Sequence, residues 1–175
     1  MTAHPTLTLR DCSASDLDAL EEYWIPEVRR WLAGIDEPGD RRSAQEYVDR
    51  AMSSAREVPR LRYDLVAEAD GRFLGTGRIV ASDPLNASGD IGYAIRQSEW
   101  GKGYATAIAR QLLDIGFGPL GLHRIWATVH PDNAAGVRVL EKAGLGYEGR
   151  LRDHFRMPGG WRDSLLYAVL STDER

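Results

Sequence analysis

Residues 91–133 open with Ile91-Gly92-Tyr93-Ala94-Ile95, continue through Trp100-Gly101-Lys102-Gly103-Tyr104-Ala105-Thr106, and close on Ile125-Trp126-Ala127-Thr128-Val129-His130-Pro131-Asp132-Asn133. In the first stretch Ile91, Tyr93 and Ile95 fall on one face, which is the two-residue period of a strand. From Tyr104 the period changes. Ala105, Ile108, Ala109, Leu112 and Ile115 recur at helical spacing, while Thr106, Arg110, Gln111 and Asp114 fall elsewhere, so an amphipathic helix is expected. Past the glycines between Gly116 and Gly121, Ile125, Ala127 and Val129 alternate with Arg124, Trp126 and Thr128 in another strand. Strand, crossover helix and strand make a βαβ unit whose two strands lie parallel.

Upstream, Ser13 and Ser15 precede the acids Asp16 and Asp18, so a first helix is expected over 16–24. Ser43 with Glu46 reads as a capping box opening a second helix that runs towards Arg56, before Pro59 stops it. Residues 31–40, Trp-Leu-Ala-Gly-Ile-Asp-Glu-Pro-Gly-Asp, read as a surface loop. Residues 63–67 and 73–80 have strand composition around Asp70-Gly71, the signal of a hairpin. Downstream, Asn133 precedes a short helix over 134–143, ended by Gly144. Residues 147–156 and 162–170 form a closing hairpin around Met157-Pro158-Gly159-Gly160. The whole is an α/β (α+β) layer with a mixed sheet, antiparallel except for one parallel step.

The chain has 175 residues, 43% hydrophobic and 27% charged, which is the composition and size of one globular domain spanning 1–175. Disorder is excluded as its main state. The net charge of −4 gives no global field for nucleic acid. One cysteine, Cys12, can form neither an intrachain disulfide nor a thiolate metal site. The first residues lack the apolar stretch of a signal peptide, and no apolar run approaches the roughly 20 residues that span a bilayer. A cytoplasmic protein with no nucleic-acid and no membrane partner is expected.

Two motifs carry chemistry. The glycines at 101 and 103 sit where a strand hands over to a helix N-terminus, whose unsatisfied N–H groups and partial positive charge suit a phosphate; the same letters also read as a plain tight turn. A dinucleotide fingerprint would need a third glycine at Thr106, and a phosphate loop would need Ser or Thr after Lys102, where Gly103 stands. The second motif is His130-Pro131-Asp132-Asn133-Ala134-Ala135-Gly136-Val137-Arg138-Val139-Leu140-Glu141-Lys142-Ala143-Gly144. Asn133 there reads as an N-cap. It also ends the second parallel strand, near the glycine turn that follows the first.

In order and spacing the two motifs resemble those of the GNAT acetyltransferases, and within them the RimJ/RimL-like N-acetyltransferases, over most of the chain. The resemblance implies a sheet of about seven strands flanked by about four helices, with the fourth and fifth strands splayed to admit acetyl-CoA as co-substrate and with no metal. It implies that Ala94, Ile95 and Arg96 pair with the pantetheine amides. Gly101, Lys102, Gly103, Tyr104, Ala105 and Thr106 would hold the pyrophosphate, chiefly by backbone N–H groups. Asn133 would contact the pantetheine near the thioester, flanked by Gly136 and Arg138 on the following helix.

Three departures stand out: Ser98 where relatives carry Gln or Arg, Gly136 where they often carry Ser, and Leu145 where Phe is usual. Gly136 removes a hydroxyl that would serve the departing thiolate. The catalytic candidates are Asn133, Asp90 and Glu148, with Asp163 and His130 beside them; each also reads as a structural charge or strand end. Tyr93 and Trp126 read as core or pocket wall. The partner implied is an amine acceptor, a protein N-terminal α-amine before a polyamine or aminoglycoside, held in part by residues 31–42 and 82–89, on a monomer or homodimer. A non-catalytic acyl-CoA-binding module and a nucleotide-binding α/β protein are the rival readings.

Overall fold

The computed structural model describes residues 6–32, 39–157 and 159–174. β1 (Thr8–Asp11) leads through a 3-10 turn (Ala14–Asp16) into α1 (Leu17–Tyr23) and a short α2 (Pro26–Arg29), then α3 (Arg41–Ser54). A hairpin of β2 (Arg62–Ala69) and β3 (Arg72–Asp83) follows, then β4 (Ser88–Ile95), α4 (Tyr104–Phe117), β5 (Arg124–Val129) and α5 (Ala134–Ala143). β6 (Gly146–Met157) and β7 (Gly160–Leu170) close the fold. The seven strands form one sheet in the order β1-β2-β3-β4-β5-β7-β6, antiparallel throughout except for β4 and β5.

The hairpin turns on Asp70 and Gly71, both at positive φ, as the two-residue loop of a twisted hairpin requires. The helix ends show where local signals misled. α3 is opened by Asp40, whose carboxylate accepts the Ser43 N–H at 2.9 Å, so the capping residue lies three positions before the Ser43 expected from sequence. Ser13 and Asp16 form the capping box, with the Ser13 N–H donated to Asp16 at 2.8 Å, and α1 proper begins only at Leu17. Pro26 at the first helical position starts α2, inside a region whose apolar periodicity is too short to show; it brings the α-helices among the described residues to five rather than about four. The part of the expected 31–40 loop at 33–38 lies outside the described residues.

Both faces of the sheet are covered around β2 and β3. Leu65 and Ala67 of β2 join Ile79, Ile91, Ile108, Leu112, Ile125 and Leu140 in a core under α4 and α5, while Val66 joins Leu20, Tyr23, Tyr47 and Val48 under α1 and α3. Strands buried on two sides lose the polar half of their alternation, which is why β2 is an almost continuous buried run. α4 is likewise buried beyond one stripe. Thr106, expected on its outer side, is buried with Ala109 and Leu113, because α4 packs on α5 as well as on the sheet. Leu112 is fully buried, and truncating such a leucine to Ala costs about 2–5 kcal/mol.

Candidate active site

The parallel ladder between β4 and β5 has only three rungs, Ser88 with Arg124, Gly89 with Ile125 and Asp90 with Trp126. Beyond them each strand follows its other neighbour: β4 stays paired to β3 as far as Ile95 with Gly75, and β5 to β7 as far as Val129 with Leu165. The two halves of the sheet therefore diverge from Asp90 onward and leave a V-shaped mouth.

Which backbone groups line that mouth follows from the register. The Ala87 carbonyl accepts from His123 and Arg124 on the β5 side, and the Arg96 N–H donates to Leu74 on the β3 side. Hydrogen-bonding direction alternates along a strand, so the odd residues Ile91, Tyr93 and Ile95 turn their N–H and C=O groups to the opening. Of Ala94, Ile95 and Arg96, only Ile95 does so; Ala94 and Arg96 spend their backbone groups on β3. The Ile95 carbonyl accepts the Trp100 indole N–H at 2.8 Å, which ties the following turn to the strand end.

That turn brings Gly101 (φ 77°) and Gly103 (φ 85°) to the N-terminus of α4 in left-handed backbone, a conformation that side chains with a Cβ rarely adopt. Gly103 occupies the cap position and supplies no capping side chain. Among the described residues no acceptor takes the N–H groups of Gly101, Lys102, Gly103, Tyr104, Ala105 or Thr106. Their direction and the helix dipole make an anion cradle. The Lys102 ammonium is turned back 3.1 Å from Glu99, a buried carboxylate with Arg72 at 3.8 Å, so the cradle's donors are backbone groups.

Across the mouth Asn133 caps α5, its Oδ1 accepting the Gly136 N–H at 2.9 Å. Its Nδ2 hydrogens remain as donors. A Cβ on Gly136 would lie 2.7 Å from that Nδ2 and 2.8 Å from Val129 Cγ2, so the missing hydroxyl has a steric cause here. Arg138 lies exposed on α5.

The titratable candidates are held by arginines. Asp90, buried at the vertex of the V, meets Arg78 at 2.7 Å. Glu148 on β6 is clamped through both oxygens by Arg124, at the end of β5 away from the mouth, and the hydrogen bonds hold its carboxyl below the ordinary range. Asp163 is also lowered, by the Asp153 N–H at 2.9 Å and by Arg150 at 2.7 Å. His130, at the end of β5, has its Nδ1 accepting the Asp132 N–H at 3.0 Å, which places the proton of the neutral ring on Nε2. Burial first, then Arg162, lowers its pKa below 6.5, so it is neutral at pH 7.

A cleft of about 370 Å³ that sequence reasoning missed opens beside His130, between the residues after β5 and the β6–β7 turn, with Trp161 63% exposed on its wall. Trp31, from the expected acceptor loop, packs on the His130 ring at 5.8 Å between centroids, and Arg162 Nη1 donates to the Arg30 carbonyl at 3.0 Å. Residues 82–89, expected to help hold the acceptor, lie instead at the N-terminal end of β4, away from the mouth.

A splayed parallel pair with an uncapped glycine-led helix at its open end offers free strand edges beside an anion cradle, the arrangement that the resemblance implies for an acyl-CoA site. In agreement, the family described as "Acetyltransferase (GNAT) domain" matches residues 6–146. The chain belongs to that family and is an acetyl-CoA-dependent N-acetyltransferase. It is 30% identical to the uncharacterized N-acetyltransferase p20 of Bacillus licheniformis over 168 residues, 95% of this chain and 94% of the relative. A spermidine N(1)-acetyltransferase of Escherichia coli (strain K12) is 28% identical over 104 residues, 59% of this chain and 56% of that one. The solved structure of Mycobacterium smegmatis RimJ in complex with CoA-disulfide superposes with a TM-score of 0.84 at 29% identity, covering 94% of this chain and 82% of that chain. None of the helices among the described residues is long and apolar enough to cross a membrane.

Proposed function

We propose that the enzyme acetylates a protein N-terminal α-amine by direct attack on acetyl-CoA in a ternary complex. In this reading the pyrophosphate sits on the N–H groups of Gly101–Thr106, and the pantetheine arm pairs with Tyr93 and Ile95, with Ala94 and Arg96 behind them as wall. Asn133 Nδ2 donates to the arm near the thioester, and Gly136 and Arg138 flank it. The amine nitrogen forms a bond to the thioester carbon, the C–S bond breaks, CoA leaves as thiolate, and the amine sheds its proton to solvent. Arg78 and Arg124 already hold Asp90 and Glu148 as bonded ions, so neither is assigned the proton.

That clamping carries the choice of acceptor. With Asp90, Glu148 and Asp163 each held by an arginine, in this reading the amine arrives neutral on its own. An α-amine with an ordinary pKa of about 7.7–8.0 does so far more often near pH 7.5 than an alkylamine with one of about 10.4. Holding both substrates in line supplies several kcal/mol of the barrier, up to roughly 7–11 in intramolecular reactions, so a general base is helpful rather than indispensable. The test is free-thiol release from acetyl-CoA over a panel of N-terminal peptides, spermidine and an aminoglycoside. N-terminal peptides are expected to give the highest kcat/KM; a higher value for spermidine refutes the choice of acceptor, and no thiol release with any amine refutes transfer to these classes. The relative named as a spermidine acetyltransferase makes the polyamine the specific rival.

A further inference from the structure

Resting on acetyl transfer at this site, we propose that the cleft beside His130 selects an acceptor carrying a carboxylate a few bonds from its amine, received by Arg162 with Arg30 adding positive charge behind it. The cleft has two carboxylates on its wall, Asp132 and Asp163. Asp163 is spent, with Oδ2 on Arg150 at 2.7 Å and Oδ1 on the Asp153 N–H at 2.9 Å. Asp132 is exposed and stands 3.9 Å from His130. On the same wall stands Arg162, with no carboxylate within ion-pair distance among the described residues, and behind it Arg30, likewise without one. Arg30 lies 4.2 Å from the Trp31 ring centroid. Arg162 donates one hydrogen bond to the Arg30 carbonyl and lines the cleft.

Arg162 and Arg30 both disfavour the protonated form of the neighbouring His130 imidazole, while Asp132 favours it. A planar guanidinium with open donors binds carboxylate in a way a lone ammonium does not, and the exposed Trp161 gives the neighbouring peptide an apolar wall. A polyamine brings the wrong sign. The carboxylate comes either from an acidic side chain next to an N-terminus or from the α-carboxylate of a free amino acid.

The experiment compares the C-terminally amidated peptides Ser-Glu-Glu-Ala-Gly and Ser-Gln-Gln-Ala-Gly, free glutamate and spermidine on the wild-type enzyme and on Arg162→Met, Arg162→Lys and Arg30→Met. Turnover is measured with acetyl-CoA, and calorimetric binding of each acceptor with CoA present. The acidic peptide is expected to have at least about tenfold higher kcat/KM than its amide counterpart, carried by KM, with the ratio falling to within about twofold in Arg162→Met and partly restored by Arg162→Lys. Should Arg162→Met fail to fold, Arg30→Met and Arg162→Lys give the same comparison. Equal use of the two peptides, preference for spermidine, or a ratio that survives the arginine variants overturns the proposal. Better use of glutamate than of the acidic peptide assigns the carboxylate to a free amino acid and refutes the protein N-terminus while leaving this inference standing. Arginine-dependent binding of the acidic peptide without turnover refutes peptide acetylation and upholds the charge selection; neither binding nor turnover refutes both.

Discussion

Two helices begin at the same open end of the sheet, and their first turns are built in opposite ways. α5 starts on Asn133, whose side chain accepts the Gly136 N–H at 2.9 Å. α4 starts on Gly103, has no capping side chain, and leaves the N–H groups of its approach and first turn without an acceptor among the described residues. A helix end left uncapped forgoes about 1 kcal/mol that Ser, Asn or Asp would supply. The uncapped one follows β4, while the capped one follows β5 after the short turn at 130–132. On the proposed function the uncapped end is left open for the CoA pyrophosphate, while the other completes itself.

The largest expected effect comes from closing the uncapped end. Gly103→Val forces a β-branched side chain into left-handed backbone, at a cost of about 1–2 kcal/mol in stability, and crowds the cradle. CoA affinity is expected to fall by about a hundredfold, or roughly 2.7 kcal/mol, more than the stability lost. Calorimetry with CoA beside thermal unfolding of the free protein reads both. In the wild type CoA and acetyl-CoA should raise the melting temperature while NAD and ATP do not, as a ligand selective for the folded state stabilises by mass action. An unchanged CoA affinity in folded Gly103→Val would erase the difference between the two helix ends.

Next in size is Asn133→Asp, which separates the two uses of one side chain. Asp keeps an oxygen for the Gly136 N–H and adds a charge suited to a helix N-terminus, so melting should stay within a few degrees. It loses the Nδ2 donor. Acetyl transfer is expected to drop by roughly tenfold, about 1.4 kcal/mol, in steady-state rates with a responsive amine. Full activity in the Asp variant would make Asn133 a cap and nothing more. Gly136→Ser acts from the other side, because its Cβ would displace the Asn133 amide. The expected loss is about 1 kcal/mol of stability, the usual worth of a cap, together with lower transfer despite the added hydroxyl.

The same contrast shows what could be read from the letters. The βαβ unit, both hairpins and the cap at Asn133 were legible because each is written in short-range periodicity or turn chemistry. The mouth was legible only through family resemblance, and its lining less so. Whether Ala94 or Tyr93 faces the opening depends on the β3–β4 register, a phase that alternation within β4 alone does not fix. The carboxylate candidates could not be told apart for a related reason: Asp90, Glu148 and Asp163 look alike in sequence, and only the tertiary structure shows each paired, with Arg78, Arg124 and Arg150. The cleft brings His130 and Asp132 together with Arg162, a separation at which sequence pattern says nothing.

The smallest effect is a control at α3, a third helix start remote from the mouth. There Asp40 caps the Ser43 N–H, as Asn133 caps Gly136, but with an ionisable group. The backbone and side-chain hydrogen bonds from Ser43 hold the Asp40 carboxyl below its ordinary 3.8. As pH falls, the unfolded chain therefore takes up the proton first. The cap's contribution is fully present above about pH 4 and is lost as pH falls through the depressed folded value. Asp40→Asn keeps an oxygen acceptor without the titration, so it should match the wild type near pH 7 within a degree or two and lose less stability between pH 4 and 2.5. CoA affinity at neutral pH should not change, since this end of α3 serves only the fold. Urea unfolding at several pH values, with CoA calorimetry at pH 7, checks both parts. A CoA defect in Asp40→Asn would mean that capping and ligand binding are coupled through the whole domain, and that the difference between α4 and α5 is not local.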